Sequence, residues 1–183
     1  MKSIQYLSTG LLVLISLLIL FCEKKNPTNN EGILSIEDLL VKNNEITGWT
    51  YAGQGWVANN IPELTTYING EADIYQRHSF VEAARQGYQG KIDNANRQMI
   101  LTIYNQGNEN NVRALFEDED LGMTAAINWN GAGKSAHYVR YGLSQVLAFY
   151  RGAYFVLLEI NYDTDESLNI LQQFALNVDG KMK

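Results

Sequence analysis

Residues 97–104 alternate between two faces, Met99, Leu101 and Ile103 on one and Ile100, Thr102 and Tyr104 on the other, the period of two that predicts a β-strand. The run 80–88 before it predicts a partner strand. Spacing then becomes helical, with Val112, Leu115 and Phe116 as the apolar stripe. The same order returns nearer the C-terminus. Residues 143–150 and 153–162 flank Arg151-Gly152, a link short enough for antiparallel pairing. Asp163 with Glu166 then opens a helix that carries Leu168, Leu171, Ala175 and Val178 on one face and is expected to end at Gly180. The pattern repeats while the residues do not, so duplication stands as a hypothesis.

Upstream, Ser35 with Asp38 three residues on predicts a short helix with a capping box. Trp49-Thr50-Tyr51 and Trp56-Val57, separated by Gly53 and Gly55, predict a strand or hairpin. Asn60 followed by Pro62 marks another helix start, whose face carries Leu64, Ile68, Ala72 and Tyr75. Gly70 inside that run costs about 1 kcal/mol relative to alanine, so either close packing requires it or the helix breaks there. Together these elements predict a single α+β domain over residues 32–183, an antiparallel sheet covered by helices in two hairpin-helix units. Residues 105–111 and 128–134 are the expected exposed loops.

The N-terminal segment follows different rules. Lys2 precedes an apolar run, 11–21, that only Ser16 interrupts, and the run stops at Cys22, the single cysteine of the 183-residue chain. Residues 1–22 are therefore expected to be an export signal, and the polar stretch 23–31 a linker with nothing to bury. Ile19-Leu20-Phe21-Cys22 resembles the lipobox of bacterial lipoproteins, with Phe21 where that pattern carries a small residue. The resemblance implies lipidation at Cys22 and a place in the cell envelope, periplasmic or outer surface, with the membrane as partner. An uncleaved anchor is a second reading, because residues 4–22 approach the roughly 20 that span a bilayer. A conventional signal cut elsewhere is a third. The chain carries 20 acidic against 14 basic residues and no basic stripe, which argues against nucleic acid as a partner.

Candidate chemistry is sparse. Gly131-Ala132-Gly133-Lys134-Ser135 has the end of a phosphate loop, but Asn128 stands where the first glycine belongs, and a Gly-rich turn is expected instead. Ser144 lacks the glycine that follows in a nucleophile elbow and falls in an expected strand. His78 and His137 have no spacing to a nucleophile, and no zinc pattern arises, so no cofactor, metal or catalytic residue is assigned. Glu71, Asp73 and Glu82 are the carboxylates to consider for calcium or sugar hydrolysis. On a continuous helix, however, Glu71 and Asp73 diverge by about 200 degrees. The acidic run 117–120 reads as a solvated loop. Trp49, Tyr51, Trp56, Tyr67 and Tyr75, with Asn69, Glu71 and Asp73, form the candidate ligand site, against the alternative that the rings are core.

The nonapeptide Tyr67-Ile68-Asn69-Gly70-Glu71-Ala72-Asp73-Ile74-Tyr75 resembles the signature of a family of bacterial exported proteins, domain of unknown function 6599. Its members carry Tyr-Ile-Asn-Gly-Gly-Ala-Glu-Leu-Tyr; here Glu71 replaces the second glycine, and Asp73 and Ile74 are conservative changes. Gly48-Trp49, Gly53, Ser79-Phe80 and Arg151-Gly152-Ala153-Tyr154-Phe155-Val156 extend the likeness, which covers residues 48–178. It implies an exported single α+β domain and no particular activity. The layout is also loosely similar to the fold shared by PsbP and Mog1, a likeness of architecture alone. The resulting expectation is an envelope-tethered, non-enzymatic binding or accessory module whose partner is a small molecule, a glycan or an envelope protein. The alternatives are a glycan-acting hydrolase using carboxylates near Glu71 and a scaffold subunit of an envelope complex.

Overall fold

The computed structural model describes residues 34–183; the leader, Cys22 and the linker lie outside them. In chain order the elements are α1 (Ile36–Leu39), β1 (Thr50–Tyr51), β2 (Trp56–Ala58), α2 (Ile61–Ile68), a 3-10 turn (Asn69–Glu71) and α3 (Ala72–Arg77). They continue with β3 (Glu82–Ile92), β4 (Ala95–Asn105), α4 (Glu109–Phe116) and a second 3-10 turn (Glu119–Leu121). The last are β5 (Ile127–Asn128), β6 (Ser135–Arg140), β7 (Gln145–Arg151), β8 (Tyr154–Ile160) and α5 (Asp165–Lys181). Among these residues one eight-stranded sheet forms in the order β1-β3-β4-β8-β7-β6-β5, with β2 beside β1 on the outer edge of β3. Every pairing is antiparallel, so the fold is α+β.

Two tight turns fix the register. Asp93 and Asn94 both take left-handed φ, 50° and 60°, the conformation of a type I′ turn whose twist suits a hairpin. They pair Ile92 with Ala95 and carry β3 and β4 in step to Glu82 and Asn105. Gly152, at φ 55°, performs the same reversal between β7 and β8. Both hairpins were expected, and each strand differs from its expected bounds by a few residues at the ends.

Alternation then sorts side chains into two layers. Met99, Leu101 and Ile103 of β4, with Val156, Leu158 and Ile160 of β8, meet α1 and the Leu171, Phe174, Ala175 and Val178 face of α5. Trp49 lies edge-on to Phe174 at 5.7 Å, and Tyr88 meets the same ring at 4.9 Å. Such pairs add about 0.5–1.5 kcal/mol each beyond the area they bury. On the opposite face Ala83, Tyr104, Phe155 and Tyr150 are covered by Leu64 of α2, Tyr75 of α3 and Val112 and Leu115 of α4. The helices that follow the two hairpins thus lie on opposite faces, so a rotation that overlays the hairpins does not overlay α4 on α5.

Several expectations change. Residues 135–140, to which the sequence pattern gives no element, form β6, because pairing with β7 satisfies a backbone whose side chains are mixed. Ser144 is in the β6–β7 turn rather than in a strand, its carbonyl accepting from the Tyr141 N–H. The last helix starts at a Thr164 cap with Ser167 completing the box, and it runs through Gly180 to Lys181. The helix from Asn60 breaks at Asn69, whose φ and ψ of 53° and −133° end α2; Gly70 has open space around it and no positive φ.

Candidate functional site

The helices on the second face stop halfway along the strands. Beyond Ala83, Tyr104, Phe155 and Tyr150, register brings Arg85, Thr102, Leu157 and Ala148 into one row and Gly87, Ile100, Glu159 and Val146 into the next. Arg85, Gly87, Ile100, Leu157, Glu159 and Val146 are all partly exposed there. Two adjoining cavities, of about 430 and 520 Å³, occupy this uncovered half, and Glu159 lines both.

The first cavity is walled by the chain between β1 and β2. Ala52 crosses β3 at Gly87, accepting no side chain there: a Cβ on Gly87 would come within 2.5 Å of the Ala52 carbonyl oxygen. The Ala52 N–H donates to the Gly87 carbonyl at 2.8 Å, which holds the crossing in place. Trp56 is the cross-strand partner of Arg85, and its ring is stacked by Tyr67 of α2 at 4.6 Å and 3°. Trp56, Arg85, Gln54, Gln98, Ile100 and Glu159 therefore share one concavity.

The second cavity takes its wall from the broken helix. Glu71, at the end of the 3-10 turn, and Asp73, in α3, both line it with Tyr75, Asp120, Tyr141 and Glu159. The backbone stays right-handed helical at Glu71 and Ala72, the break lying upstream at Asn69, yet both carboxylates reach the rim of this one cavity. Tyr75 stacks on Tyr104 at 3.9 Å and 10°.

Electrostatics set Glu159 apart. Burial pushes its carboxyl above the ordinary value; Arg85 pulls the other way, and the negative charge of Glu71 adds to the rise. Burial also raises Tyr104, to about 12, and holds Tyr75 well above the ordinary phenol value, with Glu159 and Glu71 contributing to both. Both phenols therefore stay protonated as donors. Neither Glu159 nor Arg85 forms an ion pair with any described residue, whereas Arg77, Arg140 and Arg151 each pair with aspartate.

The other expected residues lie apart. Trp49 is 3% exposed in the core of the opposite face. Tyr51 sits on the edge strand against Tyr88, and Asn69 is an exposed cap. Glu82 accepts from the Asn105 amide at 3.0 Å and lines neither cavity. The acidic run is tied down: Asp118 meets His78 Nε2 at 2.8 Å and Asp120 meets Arg77 at 2.6 Å. His137 stacks on Phe116, and burial lowers its pKa. Gly133, at φ 64°, presses on the Tyr150 carbonyl while its N–H donates to Asp179 at 2.9 Å, and Lys134 pairs with Glu109. The glycine-rich segment is thus a packed turn. Among the described residues no group of three His, Cys, Asp or Glu is placed to hold a metal.

Arg85 and Glu159 escaped the sequence reading. Their signal was a charge inside an apolar strand, in Ala83-Ala84-Arg85 and Leu157-Leu158-Glu159-Ile160, which is costly to bury without purpose. No family model, curated protein or solved structure matches the chain.

Proposed function

We propose that this protein is an exported, lipid-tethered binding module of the bacterial cell envelope whose ligand occupies the uncovered half of the sheet. The tether reading rests on the apolar leader that stops at Cys22, and the exported reading also on the likeness of residues 67–75 to the 6599 family signature. The observation that carries the binding reading is the partly buried, unpaired Glu159 at the junction of two cavities, with the unpaired Arg85 in one of them. Concave sites with a few convergent polar groups on a rigid frame are the usual form of small-molecule sites.

A second reading is a glycan-acting hydrolase. It is favoured by one observation, that Glu71 and Glu159 line the same cavity and Glu159 holds its proton above the ordinary range, as a general acid must.

One experiment addresses both. The full chain is extracted from membranes, weighed intact to detect acyl chains on Cys22, and titrated calorimetrically with small-molecule and oligosaccharide panels while products are followed by mass spectrometry. Acylation with binding and no conversion is the expected result. An intact, unacylated leader would overturn the tether, and conversion lost in both Glu159→Gln and Glu71→Gln would replace the module with the hydrolase.

A further inference from the structure

We propose that the cavity between the β1–β2 segment and β8 takes a zwitterion of the α-amino-acid class, its carboxylate held by Arg85 and its ammonium by Glu159. The assignment rests on the binding reading above and specifies its ligand.

Arg85 and Glu159 point from the same face, separated by two interstrand steps and offset by one row. That places their Cα atoms about 10 Å apart across the strands and about 7 Å along them. The two side chains share a cavity without forming an ion pair with each other. A partly desolvated charge without a partner is unfavourable, and opposite charges held apart in one cavity are both satisfied by a ligand that carries both signs.

The same arrangement rejects other ligands. A simple anion drawn to Arg85 meets Glu159, with Glu71 beyond it; a simple cation drawn to Glu159 meets Arg85. Glu71 strengthens the negative pole on the side away from Arg85, which fixes the direction of the ligand. At about 430 Å³ the cavity is of small-molecule size. Its other walls include Trp56 and Ile100, which suit an apolar side chain, and Gln54 and Gln98, which offer amides to polar atoms.

The test titrates the membrane-extracted full chain with the standard α-amino acids by calorimetry. The tightest binder is then compared with its C-terminal amide, which keeps only the ammonium, and its N-acetyl form, which keeps only the carboxylate. Each analogue is expected to bind at least about tenfold more weakly, the equivalent of one modest charge contact. Arg85→Gln should erase the preference for the free acid over the amide and leave the preference over the N-acetyl form; Glu159→Gln should do the reverse. An analogue that binds the unsubstituted protein as tightly as the free amino acid overturns the proposal, whatever the variants do. So does a variant that weakens all three ligands alike. Oligosaccharide binding without amino-acid binding removes the zwitterion assignment and leaves the module; no binding in either panel removes both.

Discussion

Glu159 carries a proton more tightly in the folded chain than in the unfolded one, because water is withdrawn from its carboxyl. Of the charges acting on it, Arg85 from β3 favours the ionised form and Glu71 from the 3-10 turn opposes it. At pH below the ordinary carboxylate range the group is neutral in both states and costs nothing. As the pH rises through the raised folded pKa, the folded state must ionise a desolvated group, so this residue's contribution to stability falls. Asp118, Asp163 and Asp179 have lowered pKa values and act in the opposite sense, their stabilisation being lost as the pH falls. Comparing Glu159→Gln with the unsubstituted chain cancels those three. The variant should be more stable at pH 7 by about 1 kcal/mol, the low end of the penalty for a desolvated polar group. For a domain of this size that is a gain of roughly 2–4 °C in Tm. The gain should vanish below about pH 4. Thermal melts across this range decide it: a variant less stable at pH 7 would mean that Arg85 already compensates the charge.

Where one element crosses another, glycine decides how close they come. Gly90 of β3 lies beneath the Trp49 indole, and a Cβ there would sit 2.5 Å from the ring. Its φ is ordinary, so Gly90→Ala tests packing alone; it should destabilise by about 1–3 kcal/mol as Trp49 is pushed off Phe174. Gly70→Ala, with nothing within 4 Å, should stay within about 0.5 kcal/mol. Denaturant midpoints followed by tryptophan emission measure both, and equal effects would refute the crossing. The hairpins were legible because alternation and a turn signal are local: the 97–104 pattern and Gly152 suffice to predict paired strands. β6 was not legible, since Ser135, His137 and Arg140 break the apolar pattern and only β7 makes the segment a strand. The helix break was legible only as one of two alternatives and at Gly70; it falls one residue earlier, at Asn69, a residue type that tolerates positive φ. The candidate site was half legible. Trp56, Glu71, Asp73 and Tyr75 were singled out as aromatic or acidic residues near one another in sequence, but Arg85 and Glu159 meet them only through the register of β2, β3, β4 and β8.

Across the whole described domain, the sheet is layered unevenly. One face is covered by α1 and α5; the other carries α2, α3 and α4 over only part of its length. β4 and β8 are paired on both sides, whereas β1, β2 and β5 are strands of two or three residues at the margins. Opening β4 or β8 therefore requires disrupting both layers, while β1 and β5 can detach locally. Hydrogen exchange should accordingly be slowest for Met99–Tyr104 in β4 and Phe155–Ile160 in β8, and fast in β1 and β5. This hierarchy bears on binding. Glu159 and Ile100 stand on the most stable strands and so need little ordering when a ligand arrives, which favours affinity. Ala52 and Trp56 stand on the least stable margin, where a ligand wedged between margin and centre adds the most restraint. A zwitterion bound between Arg85 and Glu159 should then slow exchange in residues 50–58 strongly and in β8 scarcely at all. Protection confined to β8, or β1 amides as slow as those of β4 before ligand is added, would mean that the wall of the cavity is already rigid and that binding draws nothing from its closure.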